Sequence, residues 1–247
     1  MRLLGLLLLV LASGCQVVEP PPDPNDPSKV GVLQPEVLRQ NLRAASDATN
    51  ARIAKGEFSE AQGQELLQQY AAKEIGTIDL DHIPVDKAWE YAEVFLAAKE
   101  WQLARAALMV ALRDPLSEDR RVNDTLRLAT AEAHLGDVPR AIELARSAFD
   151  TPDTQAAPIL MACLYEIEPA AKGHGHDPAL AKLLEDAITQ HQRVRVNRRS
   201  NAGRAFLQAR PHHIRRAWAE IVKLYEGVGD KKAADLAKER ATTMLSR

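Results

Sequence analysis

An internal echo constrains the fold of this chain more than any other feature. Trp101-Gln102-Leu103-Ala104-Arg105-Ala106 aligns with Val138-Pro139-Arg140-Ala141-Ile142-Glu143, so that Ala104 falls on Ala141, 37 positions later. The same offset carries Ala111-Leu112 onto Ala148-Phe149 and Pro115 onto Pro152. A period of this length describes one pair of helices that cannot bury its apolar face alone and has to stack on a neighbour. Upstream, Leu38, Leu42 and Ala45 recur at helical spacing behind Pro35, which suits a first helical position because the amide it lacks would have no partner there. Lys55-Gly56 closes that helix. Ser59 and Gln62 form a capping box for a second helix, which continues through Leu66, Leu67 and Tyr70, and Gly76 to Pro84 reads as a connector. Nothing shows the sustained alternation of a strand; Arg193-Val194-Arg195-Val196 alternates over too few residues to count.

The N-terminus carries a different kind of information. Met1-Arg2 is a positive start, Leu3 to Leu11 is almost unbroken apolar sequence, and Ala12-Ser13-Gly14 precedes Cys15. A charged start, a short apolar run and small residues before a cut site describe a secretory signal. The run is too short to span a membrane, which takes about 20 residues. The Leu11-Ala12-Ser13-Gly14-Cys15 ending resembles the lipobox of bacterial lipoproteins. That resemblance implies a signal peptide at 1–14 and a mature chain that begins at Cys15, its thiol bearing the lipid, with acyl chains such as palmitate. At about 0.8 kcal/mol per buried methylene, two or more chains make a stable anchor. Gln16, where an aspartate would retain such a protein in the inner membrane, implies the outer membrane, facing the periplasm, in a Gram-negative cell. Residues 15–34 are rich in proline, which removes amide donors and favours extended polyproline II at about 3.1 Å per residue. They read as a disordered tether that holds the body off the membrane. With Cys15 acylated, the chain's second cysteine, Cys163, has no partner for an internal disulfide. It lies in the apolar run Ile159 to Tyr165 and reads as a buried structural thiol.

The later segments carry a second resemblance. Trp218, Ile221, Val222 and Tyr225 follow the spacing W-x₂-L-G-x₂-Y, with Val222 in the glycine place, and Gly229-Asp230 and Ala234 supply a turn and a small residue behind it. His134-Leu135-Gly136-Asp137 is the corresponding turn in the preceding repeat. In the first repeat Ala92, Phe95, Ala104, Leu108 and Ala111 fit, while Trp89 stands one place out of register. From Val85 to Met244 the chain is similar to the tetratricopeptide-repeat (TPR) family. The resemblance implies helical hairpins that approach over the small residues Ala92, Ala104, Ala111, Ala141, Ala148 and Ala234, with Phe95, Trp218 and Tyr225 filling the grooves between helices. Ala157 to His191 is an irregular repeat whose turn is stretched from Glu168 to Asp177. The expected architecture is therefore all-α: an N-terminal helical hairpin over 35–76 and a TPR-like helical-hairpin solenoid over 85–247, behind the signal peptide and tether.

The formal charge of −2 hides an asymmetry. Residues 187–219 contain no Asp, Glu or Lys but hold eight arginines: Arg193, Arg195, Arg198, Arg199, Arg204, Arg210, Arg215 and Arg216. The rest of the chain is correspondingly acidic. Arginine presents planar, bidentate donors suited to phosphate and carboxylate. For an exported protein nucleic acid is the wrong polyanion, which leaves lipid head groups, wall polymers and acidic protein surfaces. The plainer alternative is that these arginines neutralise the acidic body or solvate a long loop. His174-Gly175-His176-Asp177 offers two imidazoles and a carboxylate, but no further ligand stands nearby and two glycines loosen it, so neither a metal nor any other cofactor is expected. His212-His213 follows Pro211 at an expected helix start and reads as solvated. The chain has none of the usual nucleophile, zinc-protease, phosphate-loop or dinucleotide motifs, and Glu118-Asp119 and Glu185-Asp186 lie beside basic residues, so an enzyme is not expected. The function these features imply is that of a membrane-tethered scaffold or adaptor in the bacterial envelope, presenting its helical surface to another envelope protein. The alternative is a binding module for anionic wall or lipid polymers that works through Arg193 to Arg216.

Overall fold

A computed structural model describes residues 35–76, Ile78, 83–150 and 159–245. The signal segment, Cys15, the tether and Pro152 lie outside the described residues. Every regular element among the described residues is helical.

Helix α1 (Pro35–Ala54) and helix α2 (Glu60–Ile75) form the first hairpin. The capping box forms between its two helices: Ser59 Oγ accepts the Gln62 N–H at 3.2 Å, and Gln62 Oε1 accepts the Ser59 N–H at 2.9 Å. The pair approaches closely at Gly63, where a Cβ would stand 2.6 Å from Ile53 Cδ1. Next come α3 (Ala88–Ala97), α4 (Trp101–Ala111), α5 (Glu118–His134) and α6 (Val138–Ser147). A broken helix follows, made of α7 (Ile159–Ala162), a π-helical turn (Cys163–Ile167) and α8 (Glu168–Ala171). The chain then runs through α9 (Asp177–Arg193), the long α10 (Asn201–Gly227) and α11 (Lys231–Leu245). Helices pack on their neighbours in sequence, and α2 on α3, α4 on α5, α6 on α9 and α9 on α10 join one hairpin to the next.

The same backbone device ends four of these helices. At Gly56, Lys99, Gly136 and Gly229 the chain turns left-handed, with φ between 61° and 89°. The following amide then reaches back five residues: Glu57 to Arg52, Glu100 to Phe95, Asp137 to Glu132 and Asp230 to Tyr225, each at 2.9 Å. This is the Schellman closure, which satisfies carbonyls that a helix end would leave bare. Lys99, Gly136 and the left-handed Gly173 stand 37 residues apart, so the echo in the sequence recurs in the turns. Lys99 is the one non-glycine residue among the described residues to take this conformation, which carries steric cost for a side chain with a Cβ.

Ala92, Ala104, Ala111, Ala141, Ala148 and Ala234 are buried between helices, as are Phe95 and Trp218. Tyr225 is half-buried, and its hydroxyl donates at 3.5 Å to the Glu185 carboxylate. The core around the broken helix and α9 is aliphatic, with Leu160, Leu164, Ile167, Leu180, Leu184 and Ile188 fully buried.

Two local expectations fail. Glu168 to Ala171 is helical, because Pro169 sits in the first turn, where no amide donor is needed; the loop proper begins at Lys172. Pro211 lies inside α10 rather than at its start. That helix begins at Asn201, with Ser200 Oγ accepting the Gly203 N–H at 3.0 Å, and its packing on α9 carries it past the hydrogen bond that the proline removes.

Trp218, 4% exposed, donates its indole N–H to Met244 Sδ at 3.4 Å and so ties α10 to α11. Trp218→Ala is expected to cost about 3–5 kcal/mol in a urea unfolding titration. A loss below about 0.5 kcal/mol would show that the last hairpin does not depend on this contact.

Candidate functional site

A groove of about 690 Å³ runs between α1, α2, α3, the start of α4, α5 and the π-helical turn. Arg127, Thr130 and His134 reach it together because spacings of three and four put them on one face of α5. The Trp101 ring lies flat on His134, centroids 3.8 Å apart. Burial, then the Lys99 ammonium, holds that imidazole below its usual pKa. The Thr130 hydroxyl shares its one proton between the Leu126 carbonyl at 3.1 Å and the Glu166 carboxylate at 3.2 Å. Arg43 and Lys99 reach the groove with no ion pair to any described residue, so its mouth offers two free cations beside an aromatic platform.

Glu93 anchors one wall. It pairs with Arg39 at 2.6 Å, Arg127 at 2.8 Å and Arg120 at 3.7 Å, joining α1, α3 and α5. Burial opposes its charge, but Arg127 and Arg39 outweigh that and hold the carboxyl below the usual range. Asp124, fully buried beside Arg120 and Arg127, goes the other way: burial wins and raises its pKa. The guanidinium carbons of Arg39 and Arg120 lie 4.2 Å and 3.7 Å from the Trp89 ring. Trp89 is the aromatic platform shared by two guanidiniums of this cluster. Sequence reading missed the cluster, since its members lie on three helices and no spacing within one helix announces them.

The arginine segment is mostly helix, not loop. Arg193 closes α9; Arg195, Arg198 and Arg199 lie in the link 194–200; Arg204, Arg210, Arg215 and Arg216 belong to α10. None of the eight forms an ion pair with a described carboxylate, whereas Arg39, Arg121, Arg127, Arg140 and Arg240 all do. Their partners are neutral. Arg204 donates to the Arg199 carbonyl at 2.7 Å and to Asn201 Oδ1; Arg210 donates to the Val194 carbonyl at 2.9 Å. Arg216 lies 4.1 Å over Tyr165, which also lines the groove. The groove and the basic segment therefore meet at Tyr165.

His212 and His213 sit within α10, not at its start. His212 is exposed, but His213 is half-buried, edge-on to Tyr165 at 6.2 Å. The other candidates have local roles. Asp177 accepts the Gly173 N–H at 2.8 Å and so closes the 172–177 loop, while His174 is exposed. Among the described residues no three acids, histidines or cysteines are grouped to hold a metal ion. Glu118 chelates Arg121, and Glu185 and Asp186 pair with Arg240, Arg146 and Lys182. Cys163 is fully buried, and burial, then Glu166, pushes its thiol up to about 12. Among the described residues no helix is long and apolar enough to cross a membrane.

Compared with models of known protein families, with characterised proteins and with solved structures, the chain finds no match in any of the three.

His191 gives the site a pH signature. Burial, then Arg210 and His213, pushes its pKa down to about 4, against about 6.5 in an unfolded chain. The folded protein therefore binds fewer protons than the unfolded chain between these values. The contribution is complete above the unfolded pKa and is lost as pH falls toward the folded one. Unfolding titrations are expected to show stability falling between pH 7.5 and pH 5, with about 2 kcal/mol of the loss removed by His191→Phe and a further part carried by His134 and His213, which burial also holds below their usual pKa. A stability flat across that interval would contradict the burial of a neutral imidazole here.

Proposed function

We propose that this chain is a non-catalytic, membrane-tethered scaffold of the bacterial cell envelope, whose TPR-like helical hairpins present a binding surface to another envelope protein. The groove carries the reading. Several hairpins contribute to it, its lining includes the rings of Trp101, His134 and Tyr165, and Arg43 and Lys99 stand in it with no ion pair to any described residue. Such a surface accepts a segment of a partner that carries acidic and apolar side chains. The recurrence of left-handed turns at Lys99, Gly136 and Gly173 supports the repeat ancestry, and stacked helical hairpins commonly bind along such surfaces. The lipobox-like Leu11 to Cys15 and the proline-rich 15–34 support an anchor with a spacer, and Gln16 supports the outer membrane of a Gram-negative cell.

A second reading is a binding module for anionic wall or lipid polymers. It is favoured by one observation: eight arginines lie within 24 residues, and none is ion-paired to a described carboxylate.

Photo-crosslinking in intact cells separates the groove from the rest of the surface. A photoreactive residue at Arg43 or Lys99 is expected to trap one membrane-associated protein. The same group at Met109, exposed on α4 and outside the groove, should not. Arg43→Glu with Lys99→Glu should reduce capture at least tenfold at unchanged melting temperature, and Cys15→Ser should move the protein out of the membrane fraction. Equal trapping from Met109 and the groove would overturn the scaffold reading; an unchanged membrane fraction for Cys15→Ser would overturn the anchor.

A further inference from the structure

The junction of α9 and α10 collects polar atoms that have nothing to bind. His191 is 1% exposed, and its Nδ1 has no hydrogen-bond partner among the described residues. The same holds for two more atoms cut off from solvent, His213 Nδ1 and Arg210 Nε. Phe206 holds the group together: His191 stacks on it at 4.8 Å, and the Arg210 guanidinium lies 4.9 Å from its centroid. The His213 ring is 6.2 Å from His191 and 6.2 Å from Tyr165, over which Arg216 lies. Buried donors and acceptors are almost always paired, and leaving one unmade costs about 1–3 kcal/mol. Arg210 Nε can only donate, and an imidazole nitrogen donates in one of its tautomers, so in a stretch with no acid from 187 to 219 the three atoms fit an acceptor.

The backbone around this position is fixed. Asn197 Oδ1 accepts the Arg199 N–H at 2.9 Å, and the Asn197 carbonyl accepts both the Ser200 N–H and its hydroxyl. That carbonyl packs so closely on α10 that a Cβ at Gly203 would stand 2.1 Å from it. The turn that carries Arg198 is thus held against the start of a 27-residue helix whose first turn has no acidic residue. Arg198 lies close enough to Arg210 to lower its pKa, behind the larger effect of burial, and Arg216 acts on His213 in the same way, behind burial and His212.

We propose that the α9–α10 junction is a binding site for a phosphate group, with Arg198, Arg210 and Arg216 as its charged ligands and the imidazoles of His191 and His213 as further donors. Arg210, His213 and Arg216 follow one another at three-residue steps on α10, so Arg210 and Arg216 flank His213, about 9 Å apart along the axis and about 120° around it, and their long side chains reach back toward it. Three guanidiniums and two imidazoles without an acid call for an acceptor with several charged oxygens. Phosphate has that number, and a lone carboxylate does not. The site rests on the anionic-ligand reading of the arginine segment and sharpens it to a defined set of donors.

The test is calorimetric titration of the full-length protein in neutral detergent with inorganic phosphate, with glycerophosphoglycerol (a phosphodiester lipid head group without its chains), and with acetate. Phosphate or glycerophosphoglycerol should bind at least tenfold more tightly than acetate. Tighter inorganic phosphate would identify a free phosphate or monoester as the source, and tighter glycerophosphoglycerol a lipid head group. Arg198→Gln, on an exposed residue, and Arg210→Gln should each weaken that binding at least tenfold, while Arg113→Gln, elsewhere on the surface, should leave it unchanged. No preference over acetate, or full affinity in a folded Arg198→Gln protein, would overturn the site. Retained salt-sensitive binding of both variants to micelles doped with phosphatidylglycerol would overturn the site too, yet leave the broader anionic-polymer reading standing.

Discussion

Close approach of consecutive helices over alanine is the constraint on which the rest of this structure depends. Ala88, Ala92, Ala104, Ala129, Ala141, Ala145, Ala181, Ala187 and Ala217 are fully buried along the chain. Where Cβ is the whole side chain, helix axes approach closely and ridges seat in grooves without large residues between them. Only four phenylalanines and three tryptophans serve the whole protein, and those that are buried stop gaps rather than build a broad centre. Each helix buries a stripe against its neighbours and leaves another stripe outward, so the groove by Trp101 and His134 and the basic face of α10 both follow from the packing.

The charges are sorted by the same geometry. Glu90, Glu93 and Asp124 face Arg39, Arg120 and Arg127 across α1, α3 and α5, and Glu185 and Asp186 face Arg146, Lys182 and Arg240. These carboxylates are engaged with cations of the body. No described carboxylate forms an ion pair with an arginine of 193–216, so the described acids do not neutralise this segment locally. Coulomb attraction between exposed groups falls off over about 8 Å at physiological salt, and compensation from a distance is therefore weak. What remains is a basic surface next to a groove, sharing Tyr165 with it.

How much of this could be read in the chain depended on the reach of each signal. The capping box at Ser59 and Gln62 needs two residues three apart, and sequence showed it. The all-helical class followed from periodicities that span a few turns. The positions of the small packing residues came from a repeat length, and the turn at Lys99 shows its limit: a lysine takes the left-handed place that glycine takes at 136, so no turn residue announces it. Pro211 misled because proline locally resembles a helix start, while packing of α10 on α9 kept the helix continuous. The Glu93 cluster and the orphaned atoms of His191, His213 and Arg210 are tertiary facts. The sequence showed a basic tract without acids, but whether carboxylates from elsewhere would fold onto it was not legible in any one segment.

The central claim is that the arginines of 193–216 are not the counter-charges of this protein's own acidic body. The most direct measurement is the melting temperature, at low salt, of the protein carrying Arg198→Glu, Arg199→Glu and Arg215→Glu together. These three side chains are exposed and make no ion pair with any described carboxylate, and two of them flank the positive end of α10. Removing crowded like charges and placing acids at a helix N-terminus should leave the melting temperature equal to or above that of the unsubstituted protein. A fall of more than about 8 °C, about 2 kcal/mol or more for a body of this size, would mean that the arginines hold the fold together through acids, and the account would be wrong.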